Sequence, residues 1–192
     1  MTIAKNPWRW IFLGMTVLWM GFIFGMSGST GDQSQETSGR LASLVQQLFF
    51  QNWETLPEEE FLAALGQLNF FLRKLAHFTE FAVLGGLVSL VLMTFQKPFG
   101  FRFGMSLLLG GLYAVTDELH QLFVSARSAA LFDVLVDTAG VFSGCVVVLG
   151  FFAMIASDRE KRKSTREETQ ALPEYDFKTN RQGPDRDKTG TK

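Results

Sequence analysis

LFDVLVDTAGVFSGCVVVLGFFAMIA, Leu131 to Ala156, is an apolar run whose charged residues lie only near its beginning. A hydrocarbon core of about 30 Å is crossed by about 20 residues of α-helix, so this stretch is long enough to span. Asp133 and Asp137 are four residues apart and share a helix face. The same face continues through Gly140 and Gly144, a GxxxG spacing that lets helix backbones approach closely. A span carrying two carboxylates on its small-residue face is expected to turn that face to other helices rather than to lipid.

Three further stretches fit the same description: Trp8 to Met26, Asn69 to Phe95 and Phe103 to Val124. Residues of the hydrophobic set make up 47% of the chain, with twenty phenylalanines against two tyrosines, a membrane composition. The formal net charge of -1 gives no reason to expect a nucleic-acid partner. Cys145 is the only cysteine, which excludes an intramolecular disulfide and a CxxC metal pair, and it is expected to be a buried packing residue. Lys5 and Arg9 flank the first span as they would a signal peptide. Its apolar core exceeds the roughly 7–15 residues of such a segment, and Met26-Ser27-Gly28-Ser29 is a poor cleavage site, so an uncleaved helix is expected.

Gln96-Lys97-Pro98-Phe99-Gly100-Phe101-Arg102 and Ser125-Ala126-Arg127-Ser128-Ala129 are short links, which makes the spans they join antiparallel neighbours. Between the first and second spans, Ser27 to Ser34 reads as an irregular loop. Leu41, Leu44, Val45 and Leu48 then recur at helical spacing, as in an amphipathic helix lying in the interface or packed on the bundle end. Pro57-Glu58-Glu59-Glu60 reads as a helix start that can run through Phe61, Leu65 and Leu68 into the second span. After Ala156 the chain is charged and nearly free of large aliphatics, so residues 157–192 are expected to be a disordered tail beside a membrane domain of residues 1–156. The expected fold is an all-α membrane protein of four transmembrane helices in a bundle, with an extracytoplasmic loop or amphipathic helix between the first two.

Lysine and arginine in short flanks orient the spans. Lys5, Arg9, Lys97, Arg102, Arg159, Lys161, Arg162 and Lys163 fall on one side, and only Arg40, Arg73, Lys74 and Arg127 on the other. Both termini are therefore expected in the cytoplasm. His77 and Glu80 then lie in the outer part of the second span. Asp117, Glu118, His120 and Gln121 lie at the outer end of the third, and Asp133 and Asp137 at that of the fourth. Reversing the protein would move all of them together, so their convergence at one depth does not depend on orientation.

A charge at the bilayer centre costs roughly 2.5–3.5 kcal/mol on insertion scales, so so many ionisable groups at one depth suggest a site. His77, Glu80, Asp117, Glu118, His120 and Asp133 are the candidate reacting residues, and Arg73, Lys74, Gln121 and Arg127 the candidate ligand-binding ones. Imidazole and carboxylate together suit a divalent metal such as zinc or manganese, with His77, Glu80, Asp117 and His120 as candidate ligands. Alternatively, a histidine oriented by a carboxylate could act as general acid or base, or the charges could pair only to fix helix register.

Lys74-Leu75-Ala76-His77-Phe78-Thr79-Glu80-Phe81, Thr116-Asp117-Glu118-Leu119-His120-Gln121-Leu122-Phe123, Arg127 and Asp133-Val134-Leu135-Val136-Asp137-Thr138-Ala139-Gly140 occur in that order. Together they resemble the VanZ-like family of small bacterial membrane proteins, over roughly Trp8 to Ala156. Phe81 stands where that family often has tyrosine, Ser125-Ala126 where Pro-Gly is common, and Asp137 where asparagine is frequent. The resemblance implies a protein of the bacterial cytoplasmic membrane with an envelope role, since the founding member is associated with low-level resistance to the lipidated glycopeptide teicoplanin. A membrane lipid or lipidated envelope molecule is the partner this implies. It supplies no reaction, so a binding protein, a hydrolase or transferase of lipid-linked substrates, and an assembly protein all stay open.

Overall fold

The computed structural model describes residues 7–28, 36, 39–45, 57–124 and 131–171. Every regular element among them is a helix: α1 (Pro7–Ser27), α2 (residues 39–45), α3 (Glu58–Met93), α4 (Phe99–Gln121) and α5 (Leu131–Ala171). α1, α3, α4 and α5 are each long and apolar enough to cross a membrane, as the four apolar stretches predict. Such helices show lipid an apolar exterior, and Leu18, Phe71, Leu112 and Val147 are among the large side chains left exposed. Ile23, Phe81, Leu84, Ala114, Val141 and Cys145 form the core between them.

α3 is longer than the apolar run alone predicts. It begins where Pro57-Glu58-Glu59-Glu60 predicts, with Pro57 at its N-cap and the three glutamates in its first turn. Proline cannot donate a hydrogen bond but has the dihedral angle the entry requires, and the acids complement the helix dipole. At the other end Pro98 caps α4, so α3 and α4 form a tight antiparallel pair joined at residues 94–98. In α2, Ala42 is buried, whereas Leu41 and Leu44 are exposed. Leu48, expected to extend this helix, lies outside the described residues, as do Ser125 to Ala129 between α4 and α5.

α3 and α5 run parallel with their backbones in contact. A Cβ at Gly140 would overlap the Phe78 carbonyl oxygen, and one at Gly144 the Ala82 carbonyl oxygen. A Cβ at Gly85 would likewise overlap the Val141 carbonyl. The Cys145 thiol donates to the Gly85 carbonyl across the same seam, 3.6 Å away. The expected GxxxG contact is thus made, with Gly85 completing it from α3. Gly110 extends it to α4, where a Cβ would meet Val141 Cγ1 at 2.5 Å. Ser89 donates to Ser106 at 3.0 Å, a buried polar link between α3 and α4.

α1 is a member of the bundle, tied to its neighbours along its length. At one end Arg9 donates to the Thr94 hydroxyl and carbonyl, and its guanidinium lies over Phe95. At mid-height Trp19 Nε1 donates to the Glu80 carbonyl at 2.9 Å and the Tyr113 hydroxyl to the Met20 carbonyl at 2.6 Å. At the other end Ser27 reaches Asp117. These links put the start of α1 beside the end of α3, and the end of α1 beside the end of α4.

α5 is helical past the apolar run, as far as Ala171. Arg162 bonds Asp158 and Lys163 approaches Glu167, both four residues apart. Such pairs each favour helix by a few tenths of a kcal/mol, about 0.2–0.5, in a segment with no apolar core. Residues 172–192 lie outside the described set.

Gly144→Ala is expected to destabilise the protein by about 1–3 kcal/mol, because the methyl group must separate two backbones in contact. Gly150→Ala on the same helix, where a Cβ meets nothing within 4 Å, is expected to leave stability unchanged. Thermal unfolding in detergent compares the two, and equal melting temperatures would remove the backbone seam as a determinant of stability.

Candidate functional site

The antiparallel and parallel registers bring the start of α5, the end of α4 and the stretch of α3 around Lys74 and His77 to one end of the bundle. There Lys74 and His77 of α3, Glu118 and Gln121 of α4, and Asp133 and Asp137 of α5 line a small cavity of about 10 Å³. Val136 closes it. Three sequence-distant polar clusters therefore meet at one depth, as the span arithmetic predicts.

Each side chain reaches the cavity for a local reason. Lys74 and His77 are three apart on α3, and Asp133 and Asp137 four apart on α5, so each pair occupies one helix face. The parallel seam sets the two faces opposite each other. Lys74 pairs with Asp133, and His77 Nδ1 lies 4.0 Å from Asp137 Oδ1. The Lys74 ammonium also lies 5.2 Å from the Phe70 ring centroid, a cation–π contact. The apolar stem and the carboxylate together hold this lysine in place.

Asp117 lies beside this lining, 2% exposed. Its Oδ2 accepts from the Ser27 hydroxyl at 2.7 Å and from Gln121 Nε2 at 2.9 Å, while its Oδ1 has no hydrogen-bond partner. Asp137 is 1% exposed, and neither of its carboxylate oxygens has a hydrogen-bond partner. His77, Asp117 and Asp137 can each offer one ligand atom, all within 4.8 Å of one another. Among the described residues the cavity lining carries three carboxylates, Glu118, Asp133 and Asp137, against the Lys74 ammonium and the His77 ring. The site is acidic.

Three expected members stand apart. His120 turns to α1, where its ring stacks on Phe24 with centroids 3.9 Å apart. It does not line the cavity, and its Nδ1 is buried without a hydrogen bond. The two histidines therefore do not form the joint site that their shared depth suggests. Glu80 and Arg73 also do not line the cavity, and Glu80 contributes its carbonyl to Trp19 instead. Arg127 lies outside the described residues. Conversely, Asp137 and Ser27 belong to the site although neither is among the candidates drawn from the sequence. Asp137 was within reach, because it shares a face with Asp133 and with the GxxxG glycines. Ser27 carried only a weak signal, as the first residue of a Ser-rich element, Ser27 to Ser38, that resembles the family.

A model of the VanZ/LLP1 family matches residues 12–159. The chain belongs to the VanZ/LLP1 family. The match takes in α3 and α4 whole and most of α1 and α5, and the protein is a multi-pass membrane protein of that family. No curated protein and no solved structure shows a significant match to the chain.

Lys74→Met is expected to destabilise the protein by about 3 kcal/mol, because it strands the Asp133 carboxylate in the membrane domain. Asp133→Asn in the same molecule is expected to restore most of that loss. Thermal unfolding of the single and double variants in detergent measures the coupling, and strictly additive effects would show that the pair has none.

Proposed function

We propose that this VanZ/LLP1 protein binds the polar head of a lipid-linked envelope molecule at the extracytoplasmic face of a bacterial cytoplasmic membrane. The observation that carries this reading is the cavity between α3, α4 and α5, whose lining is polar within a bundle of apolar spans. The distribution of basic residues supports the orientation. Arg9, Lys97 and Arg102 gather at the end of the bundle opposite the cavity, and basic flanks favour the cytoplasm. Both termini are then cytoplasmic.

The lining chemistry narrows the class of head group. Lys74, the lysine expected to hold an anion, is paired with Asp133, and carboxylates outnumber it. Such a lining favours hydroxyl, amide and ammonium groups, which donate hydrogen bonds, over a bare phosphate. A lipidated glycopeptide such as teicoplanin has an apolar tail and a donor-rich head, which agrees with the resistance associated with the family's founding member. A hydrolase or transferase acting on the same molecules is the second reading. It draws on the approach of His77 to Asp137, which at 4.0 Å must close to a hydrogen bond before the carboxylate can orient a general base.

The test uses the full chain in nanodiscs with fluorescent teicoplanin and with total envelope lipid. Wild type is expected to retain one of them, and Glu118→Gln and His77→Ala to weaken retention by about 10-fold or more, the loss of one charged hydrogen bond. Glu80→Gln is expected to behave as wild type. Retention by all variants alike, or by none of the proteins, sinks the proposal. A turnover of the retained lipid that is lost in His77→Ala selects the enzymatic reading.

A further inference from the structure

Lys74 and Asp133 neutralise each other, whereas the carboxylates deeper in the site do not. Asp137 presents two oxygens and Asp117 one that make no hydrogen bond, in side chains almost wholly withdrawn from solvent. An ionised carboxylate is strongly disfavoured in such surroundings unless a cation or hydrogen-bond donors compensate it. At 4.0 Å, His77 Nδ1 lies beyond hydrogen-bond range of the oxygen it faces.

We propose that His77, Asp117 and Asp137 bind a divalent transition-metal ion of the zinc or manganese type. The three residues come from α3, α4 and α5, and their ligand atoms lie within 4.8 Å of one another. Two donors on one such ion, at bond lengths of about 2.0–2.2 Å, are at most about 4.4 Å apart, so small side-chain rotations close the site. One imidazole and two carboxylates balance a charge of +2, which removes the electrostatic objection to burying the acids. The mixed nitrogen and oxygen set suits zinc or manganese better than calcium, which takes six or more oxygens.

The surroundings of Asp117 fit a ligand held in place. Ser27 and Gln121 both donate to its Oδ2, which fixes the carboxylate and leaves Oδ1 for the ion. Hydrogen bonds of this kind to the non-ligating atoms of a ligand orient metal sites in general. Three protein ligands also leave a coordination position open, and the cavity lined by Glu118 and Gln121 lies alongside. The site is defined by the protein alone and does not rest on the lipid-head reading.

The test is metal binding by the purified full chain in detergent, without lipid or glycopeptide. Chelator-treated protein is titrated separately with zinc, manganese, magnesium and calcium, following heat and melting temperature, and bound metal is counted by mass spectrometry. Zinc or manganese is expected to bind at about one equivalent and to raise the melting temperature, as any ligand selective for the folded state does. His77→Ala, Asp117→Asn and Asp137→Asn are expected to weaken binding more than about 100-fold, and Ser27→Ala about 10-fold. His120→Ala and Glu80→Gln are expected to bind as wild type. Asp137→His retains a ligand and is expected to bind measurably, so it serves if Asp137→Asn does not accumulate. Folded wild type without a stoichiometric ion or a melting shift overturns the proposal. So does binding that survives in the three ligand variants, or that is lost equally in His120→Ala.

Discussion

The contact of bare backbone between α3 and α5 is the constraint on which the rest of this structure depends. In lipid, helices gain nothing from hiding apolar side chains from one another, so association rests on close packing and on polar links. Gly140 and Gly144 meet the carbonyls of Phe78 and Ala82, and Gly85 meets that of Val141. Backbones this close admit one register, since sliding either helix by a residue would drive a side chain into the opposing chain. One turn toward the other end, the same register sets His77 against Asp137, and a further turn sets Lys74 against Asp133. The polar site is therefore a consequence of the seam: the glycines decide which charges meet.

A second constraint comes from α1, which closes the bundle with hydrogen bonds spread along its length. Trp19 and Tyr113 link it at mid-height through carbonyls already used within their own helices. Such carbonyls have a second lone pair, so these bonds tie helices together without disturbing them. Its last residue, Ser27, is buried against Asp117. A hydroxyl at a helix end thereby sets the orientation of a carboxylate on another helix. Its ring at Phe24 takes up the His120 imidazole, which leaves only one of the two histidines for the cavity.

Depth in the membrane was legible in the sequence, whereas rotation about the helix axis was not. Counting residues along antiparallel spans is enough to bring His77, Asp117 and Asp133 to one end, and the GxxxG spacing is enough to turn Asp133 and Asp137 inward. Azimuth is harder. His120 lies three residues after Asp117, about 60° away around a helix of 3.6 residues per turn. On a helix with neighbours on two sides, that angle separates Asp117, between α1 and the cavity, from His120, stacked on Phe24 of α1. Glu80 is displaced from His77 by the same angle, and it too leaves the cavity. Only the positions of the neighbouring helices resolve such cases. How far α5 runs past Ala156 was not legible from composition, because the charge pairs Asp158 with Arg162 and Lys163 with Glu167 sit at helical spacing in an otherwise polar stretch.

Charge pairing also separates what the polar residues do for the fold from what they leave over. A cluster that served only to fix helix order would be neutral within itself, because each unpaired charge in the membrane domain is a net cost. Lys74 and Asp133 meet that condition, and the register argument accounts for both. Asp117 and Asp137 do not. Two buried carboxylates face a single imidazole, with three of their four oxygens lacking hydrogen bonds. Helix packing explains why these groups are near one another, since the seam places them, but it does not explain why the residues there are acids. An asparagine at residue 137 would fill the same space without a charge. Among the described residues acid exceeds base at this point, and that excess is what the proposed metal ion would balance.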